Sequence, residues 1–221
     1  MIKHLDGVGT EWLPDIVWER SSRLHYAGLV FARQIRVPYV LEWVDNLVNY
    51  QYSLFKNRAI QCEIKKNREA DAIVVESGVI RDLLINNGVK VNKIIIAYNA
   101  VKPDQFTKDV SKRIDIRNDI GIDSNTVLIG YLGSYAFYHD TMRLVLAAKI
   151  LHQKKLNEKI KFLLVGAGKE YYETRKCANE LGLLDEIILM RPPVPEEQVP
   201  GILSALDIAV LPGSTDLMCP I

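Results

Sequence analysis

Residues 162–168 read FLLVGAG and decide the fold class. A continuous apolar run leads directly into a Gly-Ala-Gly turn, and a helix-length amphipathic stretch follows until about Gly182. An unbroken apolar run, unlike an alternating one, is typical of a parallel strand that is buried on both faces. Glycines directly after such a strand are typical of a tight turn into a crossover helix. The stretch therefore predicts a βα unit.

The same pattern recurs along the whole chain and predicts an α/β fold built from two Rossmann-like parallel-sheet domains. Helix-length segments separate the strands, as in the segment 21–34, which either Ser21 or Ser22 is expected to cap. Another begins at Ser77, also a candidate cap, and ends at Gly88. The predicted strands are 15–18, 37–41, 72–75 and 93–97 in the first half, and 127–132, 160–165, 186–190 and 207–211 in the second.

The stretch between the two series differs in composition and predicts a domain junction. Residues 103–125 are rich in Asp, Lys, Arg and Asn and contain few large apolar residues. We therefore predict an N-terminal domain over residues 1–107, an interdomain linker over 108–125 and a C-terminal domain over 126–221. Both domains are expected to be incomplete, because the first series starts at a strand without an opening βα unit and the second stops soon after a strand. A chain with such open sheet edges is expected to be marginally stable.

Composition and charge exclude several classes of protein. The 221 residues are 48% apolar and 25% charged with a formal net charge of +1, as in an ordinary globular protein, and no nucleic-acid partner is expected. No apolar run reaches the roughly 18 residues that a membrane span needs, and the N-terminus has no signal-peptide core. Cys62, Cys177 and Cys219 are far apart, which is typical of reduced thiols in a cytoplasmic protein.

Glycines at the carboxyl ends of the second set of strands predict a ligand site. Gly133 follows one strand, Gly166 and Gly168 follow the next, and Gly213 follows the last. Ligands of parallel α/β sheets bind beyond the carboxyl ends of the strands, where glycine lets backbone approach a phosphate. Two interpretations stay open from the residues alone: a nucleotide crevice, or simple tight turns. A dinucleotide fingerprint is excluded because Tyr171 stands at its third glycine, and no metal-ligand spacing occurs.

Several longer motifs together resemble one family. They are 70–77 (ADAIVVES), 94–101 (IIIAYNAV), 130–133 (GYLG), 162–168 (FLLVGAG) and 205–214 (ALDIAVLPGS). In this order and spacing the chain, from about Pro14 to Pro220, resembles the GT-B glycosyltransferases of family 4. The resemblance implies a GT-B type fold and transfer of a sugar from a nucleotide-diphosphate sugar to an acceptor with retention of configuration. It implies no metal or other cofactor.

The resemblance also implies which residues bind the donor. The family holds the diphosphate with an Arg and a Lys, but here those two positions are Ser134 and His139. Ser134 can donate one hydrogen bond, His139 can donate a charged one when protonated, and Arg143 is a candidate substitute. The nucleobase is expected against residues 191–194. The implied donor-binding residues are Gly133, Ser134, His139, Gly166, Gly168, Pro193 and Val194.

Acidic residues are the candidates for catalysis and acceptor binding. The resemblance implies that a pair of acidic residues holds the donor sugar and ribose; Asp216 lies near the first position of this pair, and the second position falls beyond Ile221. Glu42 and Asp45 lie where many members place a His that contacts the acceptor. The family implies a sugar, lipid-linked or polysaccharide acceptor and, because many members work at membranes, peripheral contact with the inner face of the membrane.

Two other functions compete with a working transferase. The absence of cations at Ser134 and His139, together with the missing second acidic residue, favours a non-catalytic, truncated or degenerate GT-B remnant that acts as a binding or interaction protein. A sugar-nucleotide epimerase of the same fold is the third hypothesis. Such enzymes usually need several carboxylates and a His around the cleft, which the sequence does not assemble. The sequence predicts no oligomeric state.

Overall fold

The structure, a computed structural model, describes residues 13–22, 24–43, 54–155 and 159–213. They divide into two compact units, one ending at Ala100 and the other beginning at Val101. Each unit has its own parallel sheet, which confirms the predicted α/β fold with two parallel-sheet domains.

The first unit contains a four-stranded parallel sheet in the order β1-β2-β3-β4. Each strand therefore pairs with the next one along the chain, so that Val17 lies beside Tyr39 and Val75 lies beside Ile96. The elements are β1 Val17–Arg20, α1 Ala27–Ile35, β2 Tyr39–Trp43, α2 Lys56–Glu69, β3 Ala72–Val75, α3 Gly78–Asn86 and β4 Ile94–Ile96.

The described helices of the first unit cover one face of its sheet. Leu29 of α1 and Leu84 of α3 join the core formed by alternate residues of β2 and β3. Consecutive parallel strands with right-handed crossovers place every helix on the same side. The other face carries Trp18 and Ile95, which are 56% and 54% exposed. The expectation of strands buried on both faces is therefore wrong for β1 and β4 within the described residues.

The second unit contains a parallel sheet in the order β7-β6-β5-β8. Because β6 and β7 extend the sheet on one side of β5 and β8 lies on the other, the direction of strand addition reverses at β5. The elements are α4 Val110–Asp119, β5 Val127–Leu132, α5 Met142–Gln153, β6 Ile160–Val165, α6 Tyr171–Glu180, β7 Ile188–Arg191, α7 Val199–Ala205 and β8 Ile208–Ala209.

This reversal places helices on both faces of the second sheet. Val145 of α5 and Ala178 of α6 pack with Phe162 and Leu164 on one face. Residues of α4 and α7 pack on the other face, where the buried strand residues are Leu128, Leu163 and Val165. The continuous apolar pattern of β6 is explained by this burial on both sides.

The stretch 108–125, predicted as a linker, is instead part of the second unit. Its helix α4 packs against α7, and two arginines on α4 bind the segment that leads into β8. Arg113 and Arg117 both contact the Asp207 carboxylate, at 2.5 and 3.0 Å, and Arg117 is only 4% exposed. The polar composition of this stretch predicted a linker. Composition alone does not show that these arginines are buried through pairing with Asp207.

The predicted helix caps were right at one position and wrong at another. Ser77 caps α3 by accepting a hydrogen bond from the Ile80 amide at 3.3 Å. The helix predicted from Ser21 begins only at Ala27. The Ser21 amide donates to the Glu42 carbonyl at 2.8 Å, so the pairing of β1 with β2 continues where a helix was expected.

Candidate functional site

The carboxyl edge of the second sheet has the topology of a ligand-binding crevice. The strand order reverses between β5 and β8, and in open parallel sheets ligands bind at this reversal point, beyond the strand ends. Gly133 directly follows β5, and Val210 directly follows β8, with its amide donating to the Gly130 carbonyl at 2.9 Å. The predicted donor residues after β5 therefore lie at the position that the topology favours.

The loop after β5 is fixed by hydrogen bonds to the loop after β6. The Gly133 amide donates to the Val165 carbonyl at 3.1 Å, and the Tyr135 amide donates to the Ala167 carbonyl at 2.9 Å. The Tyr135 carbonyl in turn accepts from the Glu170 amide at 2.9 Å. Gly133 and Ser134 are exposed. The two loops thus form one rigid platform with an open surface at Gly133 and Ser134.

Gly166 and Gly168 allow the backbones of these two loops to meet. Both have positive φ angles, 146° and 155°. A Cβ on Gly168 would lie 2.6 to 2.7 Å from backbone atoms of Tyr135, and a Cβ on Gly166 would overlap the Gly133 carbonyl oxygen. Glycine is therefore required at both positions by the contact between the loops. Through this contact the two glycines fix the conformation of the predicted site.

His139 is a partly buried imidazole in an aromatic environment. Its ring centroid lies 4.7 Å from that of Tyr138 and 6.1 Å from that of Tyr131. Its Nδ1 atom is buried without a hydrogen-bond partner among the described residues. Burial lowers the pKa of His139 below its usual value, so the ring is neutral near pH 7. The structure therefore gives His139 no permanent charge with which to bind a phosphate.

Other basic residues near this edge differ in whether they are already paired. Arg143, the candidate substitute, forms a salt bridge with Asp140 at 2.7 Å. Asp140 has a left-handed conformation that links the turn at His139 to α5. Lys169 follows Gly168 directly and is exposed, and Arg191 at the end of β7 is exposed as well.

Three of the four predicted nucleobase-binding residues, Arg191, Pro192 and Val194, border a cavity beside the end of β7. Val194 packs against the core between α4 and α7, while Pro193 is exposed. The cavity has a volume of about 410 Å³ and an apolar floor that includes Leu163 and Val165. Arg191 and Glu197 supply charged groups at its wall. The space and the mixture of apolar and polar groups fit a nucleoside-sized ligand.

At the carboxyl edge of the first sheet, the structure places Glu42 in a defined contact. Its carboxylate accepts a hydrogen bond from the Trp18 indole at 2.8 Å, and its side chain is partly exposed. Asp45 and Asp216, the other acidic candidates, lie outside the described residues.

Two buried polar residues of α2 were missed as positioning groups. The Lys66 ammonium donates to the Ser22 carbonyl at 2.6 Å and to the Ser21 hydroxyl at 3.3 Å, and Lys66 is 1% exposed. The neighbouring Asn67 accepts from the Trp43 indole at 2.9 Å. These residues hold the ends of β1 and β2. The basic run at 65–68 gave no signal of burial, because the burial of Lys66 depends on partners distant in sequence, such as the Ser22 carbonyl.

Over 13–22, 24–43, 54–155 and 159–213, no group of His, Cys, Asp or Glu side chains is arranged to hold a metal ion. None of the described helices is long and apolar enough to cross a bilayer.

A family model matches most of the second unit. Residues 112–218 match the model described as Glycosyl transferases group 1. The matched range contains the loops after β5, β6 and β7 that form the platform and the cavity wall. This part of the chain is therefore similar in sequence to the group 1 glycosyltransferases.

Similar proteins extend the likeness to the first unit. The chain is 21% identical over 201 residues to an alpha-monoglucosyldiacylglycerol synthase from Streptococcus pneumoniae (strain ATCC BAA-255 / R6), covering 86% of this chain and 45% of that protein. HepE from Anabaena in complex with UDP matches with a TM-score of 0.75 and 16% identity, covering 96% of this chain and 56% of that one. Its complex with UDP-glucose gives a TM-score of 0.73 at 18% identity, covering 94% of this chain and 55% of that one.

A glycosyltransferase from Rickettsia africae gives a TM-score of 0.68 at 17% identity, covering 96% of this chain and 55% of that one. At such identities these likenesses establish the fold, which is of the GT-B type. The chain spans about half the length of the relatives that it matches.

Proposed function

We propose that this protein transfers a sugar from a UDP-sugar donor to a hydroxyl-bearing acceptor. The observation that carries the proposal is the rigid platform of Gly133–Tyr135 and Gly166–Gly168 at the strand-order reversal, inside the range that matches the glycosyltransferase model. The UDP and UDP-glucose complexes of the structurally similar HepE support UDP as the nucleotide and a hexose as the sugar.

The platform supports a specific orientation of the donor. The diphosphate lies over the loop after β5, where the exposed Ser134 can donate hydrogen bonds from its hydroxyl and its backbone amide. The nucleobase lies against Pro193 and Val194, next to the cavity below β7. Hydrogen bonds to the departing diphosphate stabilise the charge that develops as the bond to the sugar breaks, and this lowers the barrier to transfer.

Retention of configuration and independence of metal are further parts of the proposal. Both are implied by the resemblance to family 4, in which the donor diphosphate itself helps to deprotonate the acceptor hydroxyl. Glu42 and Asp45 remain the proposed acceptor contacts, and Asp216 remains the proposed contact to the donor. Addition of EDTA is expected to leave transfer unchanged.

We propose a lipid-linked acceptor and peripheral contact with the cytoplasmic face of a membrane. The relative from Streptococcus pneumoniae is named for a glycolipid product. In this chain, Leu54 and Phe55 are 97% and 59% exposed directly before α2 and precede the basic residues Lys56 and Arg58. Exposed apolar side chains beside basic ones favour binding to an anionic membrane surface. Sedimentation with anionic and neutral vesicles tests this: only the anionic vesicles are expected to carry the protein down.

The direct test of the function uses radiolabelled UDP-glucose with the full chain. The acceptors are diacylglycerol in mixed micelles, a soluble monosaccharide and a polysaccharide, each assayed with and without EDTA. Label in the acceptor, with an anomeric configuration matching that of the donor by NMR, is the expected result. UDP binding without transfer supports the non-catalytic binding protein, and release of an epimerised sugar supports an epimerase. Absence of UDP binding contradicts the proposal.

A further inference from the structure

The diphosphate of a nucleotide-sugar donor carries negative charge, and the residues at the two expected cationic positions do not balance it. Ser134 is uncharged, and His139 is a neutral imidazole packed against Tyr138. Arg143, one turn into α5, is held by Asp140 at 2.7 Å. A basic residue elsewhere on the described carboxyl edge of the second sheet is therefore needed to pair with the diphosphate.

Lys169 is the basic residue whose backbone is fixed directly against the loop after β5. On one side of it, a Cβ on Gly168 would meet Tyr135 backbone atoms at 2.6 to 2.7 Å. On the other side, the Glu170 amide donates to the Tyr135 carbonyl at 2.9 Å. Lys169 thus lies between two residues that both contact Tyr135, the neighbour of Ser134. Its Cα position relative to this loop cannot change without breaking these contacts.

The side chain of Lys169 is available for a ligand. The residue is exposed, and its ammonium has neither a hydrogen-bond nor a salt-bridge partner within the part of the chain that the structure describes. Arg191 is also exposed, but it belongs to β7, which is separated from β5 by β6, and it borders the cavity on the nucleobase side. Of these two cations, Lys169 is therefore the one that follows the loop in backbone contact with Gly133–Tyr135.

We propose that Lys169 binds the diphosphate of the donor and takes the place of the cations that are missing at Ser134 and His139. This inference rests on the proposed function and assigns one residue of its donor site. A flexible ammonium on a rigid turn provides a point charge that reaches a phosphate oxygen without rearrangement of the loop. An interaction of this type is expected to contribute about tenfold to affinity for a diphosphate.

The test compares UDP with uridine by calorimetric titration of the full chain. Lys169→Met is expected to weaken UDP binding about tenfold and to leave uridine binding unchanged, because uridine has the base and ribose but no phosphate. Lys169→Arg keeps the charge and is expected to stay within about threefold of the unmodified protein. Lys176→Met is the matched control, since it removes the same charge from an exposed position on α6.

Each outcome distinguishes this inference from the proposed function. Equal UDP affinity in the unmodified protein and in Lys169→Met overturns the role of Lys169 while leaving the donor site in place. Equal losses of UDP and uridine affinity also overturn it, because they indicate a disturbed loop. A loss as large in Lys176→Met indicates a general charge effect and contradicts a specific contact. Failure of the unmodified protein to bind UDP contradicts the proposed function itself.

Discussion

Gly166 has no room for a Cβ atom, because the carbonyl oxygen of Gly133 occupies that position. The two glycines therefore bring the ends of neighbouring strands β5 and β6 into backbone contact. The contact holds Gly133 and Ser134 at the surface, where the topology of the sheet places a ligand. The relationship explains why a packing requirement and a binding requirement fall on the same residues.

Replacement of Gly166 by Ala should separate the two loops. The substitution forces a methyl group against Gly133 and also strains a positive φ angle of 146°, so we expect a loss of about 3 kcal/mol in the stability of the second unit. UDP affinity should fall in parallel. Amide hydrogen exchange and calorimetric titration measure the two effects. Gly182→Ala is the control, because Gly182 has a φ of 68° but open space around its Cβ position. Equal effects of the two substitutions would mean that the loop contact is unimportant.

The carboxylate of Asp207 should make the second unit sensitive to acid. Burial alone would raise the pKa of this carboxyl, but hydrogen bonds from the Leu128 amide and from Arg113 and Arg117 lower it below its usual value. A lowered folded-state pKa contributes stability above the unfolded-state pKa of about 4, and this stability is lost as pH falls through the folded-state value. Asp207→Asn should therefore cost about 2 kcal/mol near pH 7, and this cost should shrink as the pH falls below about 4.

Hydrogen exchange of the Leu128 amide, which donates to Asp207 at 2.8 Å, measures this difference locally. Other carboxyls with lowered pKa values, such as Asp71, titrate identically in both proteins and cancel in the comparison. A cost of Asp207→Asn that is independent of pH would contradict the role of the ionised carboxylate.

Introduction of a permanent charge at His139 should strengthen donor binding. Because burial lowers the pKa of this imidazole, UDP affinity of the unmodified protein and of His139→Gln should follow the same profile between about pH 7.5 and 8.5. His139→Lys should bind UDP roughly fivefold more tightly. His152→Lys adds the same charge at an exposed position near the end of α5 and should change little. If His139→Lys has no effect, position 139 does not face the diphosphate.

Lys66 should be essential for the stability of the first unit, unlike its neighbour Lys65. Lys66→Met leaves the Ser22 carbonyl without its donor and removes the cation that faces Glu19, so we expect a loss of about 3 kcal/mol. Lys65 forms an exposed salt bridge with Glu69, and Lys65→Met should cost less than about 0.5 kcal/mol. Urea unfolding followed by tryptophan fluorescence reports on this unit, because every tryptophan precedes residue 101. Similar losses for both variants would contradict the account.

The sequence was sufficient for the architecture because strands buried on both faces have a distinctive apolar pattern. Residues 162–165 of β6 showed it most clearly, and the glycines after β6 correctly marked the loop. It was insufficient for α4, because the polar composition of this helix is also that of a linker. The burial of Arg117 becomes evident only from its carbonyl and carboxylate partners. The same reason hid Lys66, since burial of a charge depends on long-range partners such as Ser22.

For the candidate site as well, features that depend on local sequence could be predicted, and features that depend on long-range contacts could not. The loop positions of Gly133 and Ser134 could be predicted, because parallel strands end at a common edge. The neutral state of His139 could not, because it depends on packing with Tyr131 and Tyr138. A donor-binding role for Lys169 could not be predicted from the sequence, because it follows only from the contacts of the neighbouring residues with Tyr135.

The central claim, that the carboxyl edge of the second sheet binds a nucleotide diphosphate, is tested most directly by NMR titration of the labelled protein with UDP. We predict saturable chemical-shift changes of the amides at 133–135, 166–169 and 191–194, with small changes on the opposite, amino-terminal edge around Leu128 and Asp207. An absence of saturable shifts, or shifts confined to residues away from these three loops, would contradict the account.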